Sequence, residues 1–250
     1  MKEYDLSVLI GPYLAIGLVI LAMFVLILFW RMPKNGDKNH NIDFVPTLRR
    51  IFAMPHYREG VIAQFFYVGV QIMCWTFIIQ YGTRVLMADG MAEQAAEVTS
   101  QQYNILAMII FCCSRFICTF LLRYVNTGRL LTVLAIVGGL LVVGVIGLQN
   151  IYGLYCLVGV SACMSLMFPT IYGIALTGLG DDAKFGAAGL IMAILGGSVL
   201  PPFQAAIIDQ VELLGMPAVN VSFILPFVCF VVIAIYGHRT FLRSKGQLGG

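Results

Sequence analysis

The chain has 250 residues, of which 60% are hydrophobic and only 11% are charged, and its formal charge is +3. A soluble globular domain carries about a quarter of its residues as charged ones. This composition, with a mean hydropathy of +0.92, therefore excludes a soluble domain and predicts an all-α membrane protein.

The first predicted element is an apolar run from Ser7 to Trp30, which at about 24 residues is long enough to cross a bilayer. A polar, basic connection, RMPKNGDKNHN, follows it. In the next segment, Asp43 to Met54, the apolar residues fall on one side of a helix and Arg49 and Arg50 point away from them. We expect this segment to be a short amphipathic helix at the membrane surface, ended by Pro55.

Six further spans are predicted, which gives seven in all. They are Glu59–Thr83, Gln102–Leu122, Arg129–Leu148, Tyr152–Thr177, Phe185–Ile208 and Ala218–Gly237. The third and last of these six have almost no polar side chains and are expected to face lipid, whereas the other four are expected to line a cavity. Three regions follow: a single helix (1–30), a cytosolic linker with a surface helix (31–58) and a six-helix bundle (59–245).

The distribution of lysine and arginine predicts how the chain is oriented. Twelve of the fifteen basic residues lie in alternate connections: Arg31, Lys34, Lys38, Arg49, Arg50, Arg58, Arg123, Arg129, Lys184, Arg239, Arg243 and Lys245. The connection from Ala88 to Ser100 contains three acidic residues and no Lys or Arg. The positive-inside rule then predicts a cytosolic C-terminus and a first residue on the opposite, periplasmic side.

The first span of the predicted bundle contains the stretch QFFYVGVQIMCWTFIIQY, Gln64 to Tyr81. Gln64, Tyr67, Gln71 and Trp75 fall along one side of this helix. An amide inside hydrocarbon is costly unless a partner satisfies it, so this side must face other helices or a wet cavity. The glutamines could simply bond neighbouring helices, or they could contact the hydroxyl groups of a sugar while Trp75 stacks on its ring.

Arg115, in FCCSRFICTFLL, is the only formal charge deep within a predicted span. A charge at the centre of a span costs about 2.5–3.5 kcal/mol on insertion scales. Arg115 is therefore predicted to contact a ligand or to form a gating ion pair. The alternative is that its side chain reaches toward the cytosolic end of the span.

Two later spans contain helix-breaking residues near their middles: Pro169, Gly196, Gly197, Pro201 and Pro202. Proline frees a backbone carbonyl and bends a helix. Paired broken helices at mid-membrane are typical of a transport site, although bends also occur for packing alone. We predict that these residues act as hinges.

Enzymatic and metal chemistry find little support in the sequence. Gly178–Asp181 matches the Gly-x-Gly-Asp pattern of intramembrane aspartyl proteases, but the second carboxylate, Asp5, is predicted to lie on the other side of the membrane. The three histidines are predicted at cytosolic positions, and the seven cysteines show no metal-binding spacing. No basic cluster alternates with exposed aromatic residues. The chain is therefore not expected to be an enzyme, to bind a metal or cofactor, or to bind nucleic acid.

Several stretches together resemble the L-fucose permease group of the major facilitator superfamily. They are YVGVQIMCWTFIIQYG, the Arg-Phe of CSRFICTFLL, the basic linker, and SLMFPTIYGIALTGLGDDAKFGAAGLIMAILGGSVLPP. The resemblance covers the family's sixth helix and its C-terminal six-helix bundle. It implies a partial chain of a twelve-helix, proton-coupled sugar symporter that works by alternating access in a bacterial inner membrane.

The resemblance also suggests roles for individual residues. Gln64, Tyr67, Gln71, Trp75 and Tyr172 become candidate sugar contacts, and Arg115 takes the place of the family's membrane arginine. Gly178–Lys184 becomes a cytosolic loop between helices. Cys118 stands where glycine is usual in the superfamily's basic loop signature.

The acidic residues depart from what proton coupling requires. All twelve Asp and Glu residues lie in predicted loops or near span ends, whereas coupling needs a group that titrates within the membrane. The family carries those acids in the N-terminal bundle, so we expect this chain to be a fragment or half of an assembly. Its expected partners are lipid, a missing N-terminal helical bundle, a small neutral sugar such as L-fucose, and a proton. Galactose, glucose or N-acetylglucosamine, a sugar acid, and a seven-span sensory protein remain as alternatives.

Overall fold

The computed structural model describes residues 2–29, 44–122, 124–210, 212–213 and 215–248, and these residues are almost entirely helical, as predicted. The chain divides into two compact units, Met1–Asp43 and Phe44–Gly250. In the first unit, helix α1 (Lys2–Phe29) covers nearly all of the first predicted span. Its described side chains include a shorter apolar stretch, Leu14–Leu26, and they are exposed within this unit. Trp30 and the basic connection lie outside the described residues.

The second unit contains ten helices among the described residues, joined by short connections. They are α2 (Phe44–Ala53), α3 (Pro55–Ala88), α4 (Glu93–Leu121), α5 (Thr127–Gly147), α6 (Ile151–Met164), α7 (Met167–Leu176), α8 (Ala183–Met192), α9 (Gly196–Ile208), α10 (Ala218–Ser222) and α11 (Ile224–Leu248). Two-residue strands β1 (Glu212–Leu213) and β2 (Met216–Pro217) form an antiparallel hairpin.

These helices provide six segments that are long and apolar enough to cross a membrane, matching the six predicted bundle spans. Several boundaries differ from the prediction, including both ends of α3 and the start of α4. Helix α3 begins at Pro55, because proline at the first helical position needs no backbone N–H partner. Helix α4 begins at Glu93, where an acidic residue in the first turn favours the helix. Helix α3 also continues to Ala88, so the connection between α3 and α4 (residues 89–92) is much shorter than predicted.

Three of the six segments are interrupted helices, and the last of them breaks at Phe223, between α10 and α11. The segment of α6 and α7 breaks at Ser165–Leu166, and Pro169 is the third residue of α7. A 3₁₀ turn, Ala193–Leu195, separates α8 from α9, which begins at Gly196 and contains Pro201 and Pro202. Gly196 and Gly197 thus lie at an interruption and Pro169 lies near one, whereas Pro201 and Pro202 lie inside α9. The role of these residues as hinges stays a prediction.

Helix α3 lies at the centre of the bundle and packs on α4, α9, α11, α7 and α6. Glycine allows its closest approach to α9, because a methyl group at Gly196 would overlap the carbonyl of Phe65. Helix α5 packs along α11. Each of these two helices also keeps an exposed apolar row, including Leu140 and Val231. The two spans expected to face lipid therefore each have one exposed apolar face, and their other faces are buried in the bundle.

The short helix α2 belongs to the same compact unit as the bundle. Ile51 is buried with Tyr57, Leu179 and Leu190. Arg50 makes a bidentate salt bridge to Asp182, in which Nε and Nη2 each donate to a carboxylate oxygen at 2.7 Å. The helix therefore has an apolar side and a charged side, and both contact the bundle. Helix α2 ends at Ala53, before Pro55.

Candidate functional site

The four polar and aromatic residues predicted on one side of α3 separate into two pairs by burial. Gln64 and Tyr67 have no exposed surface, whereas Gln71 and Trp75 are half-buried. The Tyr67 hydroxyl donates to the carbonyl of Met164 at 2.9 Å, at the C-terminal end of α6. In this conformation a ligand has access to Gln71 and Trp75 but not to Gln64 or Tyr67.

The side-chain amide of Gln64 has no hydrogen-bond partner among the described residues at either its nitrogen or its oxygen. The hydroxyl of Thr170 on α7, which is 5% exposed, is likewise unpaired in the described part of the chain. A buried polar group without a partner costs about 1–3 kcal/mol. If Gln64 served only to pack the helices, its unpaired amide would lower the stability of the chain.

An aromatic row runs from α3 to α7. The ring of Tyr67 meets Phe168 edge-on, with centroids 6.1 Å apart, and Phe168 stacks on Tyr172 with centroids 6.2 Å apart and an angle of 11° between the rings. Tyr172 is half-buried. The row therefore links the buried part of α3 to a partly accessible ring on α7, just beyond Pro169.

A second group of side chains connects α3 with α4 and α6. The indole N–H of Trp75 donates to the Ser161 hydroxyl at 3.3 Å, and its ring meets Phe111 edge-on with centroids 5.0 Å apart. The guanidinium carbon of Arg115 lies 5.9 Å from the centre of the Phe111 ring. This distance is within the range of a cation–π contact.

Arg115 is exposed in this chain, and it forms no ion pair with the residues that the structure describes. Its guanidinium therefore keeps donors that a ligand or an acidic partner could use. Together Gln71, Trp75, Tyr172 and Arg115 offer an amide, two aromatic rings and a cation. Such a set can hydrogen-bond sugar hydroxyls and stack on a sugar ring.

Sequence reasoning missed three residues of this arrangement: Phe111, Ser161 and Phe168. Phe111 lies four residues before Arg115, and this spacing places the two side chains next to each other on one helix face. That signal could have identified Phe111. Ser161 and Phe168 contact α3 only through the packing of α6 and α7, which no local pattern specifies.

The described carboxylates lie near the ends of the bundle. Glu59, near the start of α3, accepts hydrogen bonds from Arg239 at 3.2 Å and from Arg243 at 3.0 Å. These pairs tie α3 to the end of α11. Among the described residues, no group of histidine, cysteine, aspartate and glutamate side chains could hold a metal ion.

A cleft of about 480 Å³ opens at the other end of α3. Its polar lining consists of Gln80, Thr83, Arg84, Glu93 and Glu97, and its apolar lining comes from Ile79, Met87, Ile208 and Val219. Sequence reasoning did not single out this cleft, because its walls come from the end of α3, the start of α4 and the α9–α10 region.

No family model matches the chain. It is 49% identical to an L-fucose-proton symporter of Haemophilus influenzae over 248 residues, which cover 98% of this chain and 56% of that protein. It is 29% identical to the L-fucose-proton symporter of Escherichia coli, covering 91% of this chain and 50% of that protein. A glucose/galactose transporter of Brucella abortus is 28% identical, with 90% of this chain and 52% of that protein covered.

Two solved structures have a similar helix arrangement, one of the Escherichia coli fucose:proton symporter FucP and one of a major facilitator superfamily transporter, FucP. One matches with a TM-score of 0.77 and 27% identity, and another, of FucP in the outward conformation, matches with a TM-score of 0.76 and 28% identity. Each match covers 92% of this chain and 54% of the solved chain. The chain spans about half the length of the curated relatives it matches. It has part of the major facilitator superfamily fold, and the predicted resemblance to the L-fucose permease group is confirmed.

Proposed function

We propose that this chain provides the six-helix half of a sugar–proton symporter that imports L-fucose by alternating access. The observation that carries the proposal is the group formed by Gln71, Trp75 and Arg115 on the adjoining helices α3 and α4. It offers stacking and hydrogen-bonding groups beside two interrupted helices. The similarity to the Haemophilus influenzae L-fucose-proton symporter supports the choice of sugar.

In this proposal the sugar meets the partly exposed residues Gln71, Trp75 and Tyr172 first. Gln64 and Tyr67 join the site when the interrupted segments of α6–α7 and α8–α9 change their bend. The unpaired amide of Gln64 supports this step, because a sugar hydroxyl would satisfy it. Pro169, Gly196, Gly197, Pro201 and Pro202 are the proposed hinges.

The exposed face of α4 is the proposed contact for the N-terminal helical bundle, with α1 (within residues 1–30) as the last helix of that bundle. Residues 31–58 link the bundles, and residues 59–245 form the second bundle. Proton coupling would come from acids of the N-terminal bundle. We place the protein in a bacterial inner membrane, with the C-terminus cytosolic and the first residue periplasmic.

Galactose and glucose are the strongest alternative substrates. Curated relatives named as glucose/galactose transporters favour them at 28% identity. The rings and amides of the site do not distinguish these sugars from L-fucose. Competition between labelled L-fucose and unlabelled galactose or glucose for uptake distinguishes the two substrate assignments.

The experiment is uptake of radiolabelled L-fucose into cells that lack their own permease. The 250-residue chain is expressed alone and together with an N-terminal bundle from a matched relative. We expect uptake only with the second bundle, and we expect a protonophore to abolish it. Uptake by the chain alone would overturn the assignment of the coupling acids, and stronger inhibition by unlabelled galactose than by L-fucose would overturn the choice of sugar.

A point substitution tests the site itself. In the transporting pair, Gln71→Ala is expected to weaken L-fucose uptake at least tenfold, because the amide loses its hydrogen bonds to the sugar. Gln149→Ala, at an exposed position between α5 and α6, is the matched control and should leave uptake unchanged. Wild-type uptake by Gln71→Ala would remove Gln71 from the site.

A further inference from the structure

The cleft at the outer end of α3 has the character of a binding site. Its volume of about 480 Å³ falls within the range of about 300–1,000 Å³ that is typical of small-molecule pockets. Its lining combines apolar side chains, including Ile79 and Met87, with an amide, a hydroxyl and three charged groups. Convergent polar groups beside an apolar surface are what such a pocket uses to orient a ligand.

The charged groups of the cleft do not form ion pairs with one another. Arg84, Glu93 and Glu97 line the same space, yet none of them forms an ion pair in the described part of the chain. By contrast, Glu59 at the opposite end of α3 is held by two arginines. The cleft therefore keeps both donors and acceptors available for a ligand.

The sign of the charge at this end restricts the ligand. One arginine and two glutamates give the lining a formal charge of −1. The connections at the same end (89–92, 148–150 and 209–217) contain Asp89, Asp209 and Glu212 and no Lys or Arg. Summed charges of one sign around a cleft repel ions of that sign and lower their local concentration. An anionic ligand is therefore disfavoured.

We propose that this cleft is an outer encounter site for neutral monosaccharides and that its charge excludes sugar acids. Glu93 and Glu97 would accept hydrogen bonds from adjacent hydroxyls, Gln80 and Arg84 would donate to ring and hydroxyl oxygens, and Ile79 and Met87 would contact the C–H face of the sugar. This inference rests on the proposed sugar transport and adds a second site to it. It also gives a reason for a transporter with an exposed Arg115 to prefer neutral sugars.

Protection from labelling tests occupancy of the cleft without relying on transport. Met87→Cys places a thiol in the lining, in a chain whose exposed Cys112 and Cys113 are changed to serine and whose central site carries Gln71→Ala. The purified chain in nanodiscs is labelled with a maleimide, with and without L-fucose. We expect L-fucose to slow labelling at least threefold and sodium glucuronate at equal concentration to have no effect.

Neutralising the cleft tests the charge filter. Glu93→Gln with Glu97→Gln should allow glucuronate to slow labelling, with an effect that is largest at low ionic strength. Asp209→Asn removes an exposed acid at the same end but outside the lining, so it should allow less protection by glucuronate than the double variant. Equal labelling rates with and without L-fucose would overturn the site, and protection by glucuronate in the unaltered cleft would overturn the filter. If L-fucose protects the thiol but the two-bundle assembly imports none, the proposed transport has failed while the cleft remains.

Discussion

Helices α3 and α4 are neighbours of similar length and are both apolar, but their environments differ sharply. In the most apolar 18-residue window of each, 56% of α3 is buried within the chain, against 6% of α4. Helix α3 contacts eight other helices, whereas α4 contacts mainly α3 and α6 and leaves most of its surface open. Polar residues on α3 are therefore constrained by packing, and those on α4 remain available for partners.

This comparison divides the candidate site into two parts with different expected behaviour. Substitutions at the buried contacts between α3 and its neighbouring helices should change the stability of the isolated chain. Substitutions on the open face of α4 should change transport while leaving the stability of the chain almost unchanged. Four substitutions test this division, in order of decreasing effect on the free energy of unfolding.

Gly196→Leu should have the largest effect, because any side chain at this position overlaps the backbone of α3 at Phe65. Overpacking of this kind costs about 3 kcal/mol. Thermal unfolding of the purified chain, followed by size-exclusion chromatography, measures the loss. Gly173→Leu is the matched control, since a Cβ at Gly173 meets nothing within 4 Å. Equal stability of the two variants would show that α3 and α9 are not in close contact.

Gln64→Leu should raise the stability of the chain by about 1 kcal/mol, because it replaces a buried amide without partners by an apolar side chain of similar volume. It should also impair transport if the amide serves the sugar. Gln204→Leu is the comparison at another fully buried glutamine, whose oxygen is also unpaired among the described residues but whose nitrogen donates to the Ser222 hydroxyl at 3.1 Å. That variant should be less favourable than Gln64→Leu, because it loses a hydrogen bond. A loss of stability for Gln64→Leu would mean that its amide is satisfied in the folded chain.

Trp75→Phe should lower stability by about 1 kcal/mol, since it removes the hydrogen bond to Ser161 and keeps an aromatic ring beside Phe111. Chemical unfolding of the variant, of Ser161→Ala and of the double variant forms a cycle that isolates this bond. The double variant should be no less stable than Trp75→Phe alone. Additive losses would show that the two side chains do not interact.

Arg115→Ala should change the stability of the isolated chain by less than about 0.5 kcal/mol, because the side chain is exposed and unpaired among the described residues. Uptake by the two-bundle assembly should nevertheless fall at least tenfold. Arg129→Ala, at another exposed arginine, should change neither property. Normal uptake by Arg115→Ala would show that the side chain only extends toward the end of the helix and contacts neither a ligand nor a gating partner.

The sequence predicted the helical class, the six bundle spans and the positions of the helix-breaking residues. These features depend on local properties: the length of apolar runs, the missing N–H of proline and the small volume of glycine. The amphipathic segment before Pro55 was recognised for the same reason. Its contact with the bundle through Arg50 and Asp182 was not, because the two residues are 132 positions apart.

The candidate site was predicted only in part. Polarity on one side of α3 identified Gln64, Tyr67, Gln71 and Trp75, but it could not separate the buried pair from the accessible pair. Val70, Met73 and Phe77, toward the other side of the helix, are buried as well. A helix with buried residues on more than one side gives no single apolar stripe that distinguishes its buried part from its accessible part.

The amino-acid sequence by itself determined that this chain has membrane-spanning helices and approximately where the six bundle spans lie. These outcomes follow because burying charges and unpaired backbone groups in lipid is costly. Each segment avoids that cost through its own apolar side chains and its own helical hydrogen bonds. Only the tertiary structure decided that α3 is central and α4 open, that Trp75 meets Ser161, and that Arg84 shares a cleft with Glu93 and Glu97. Burial and neighbours depend on how distant segments pack, and no local pattern contains that information.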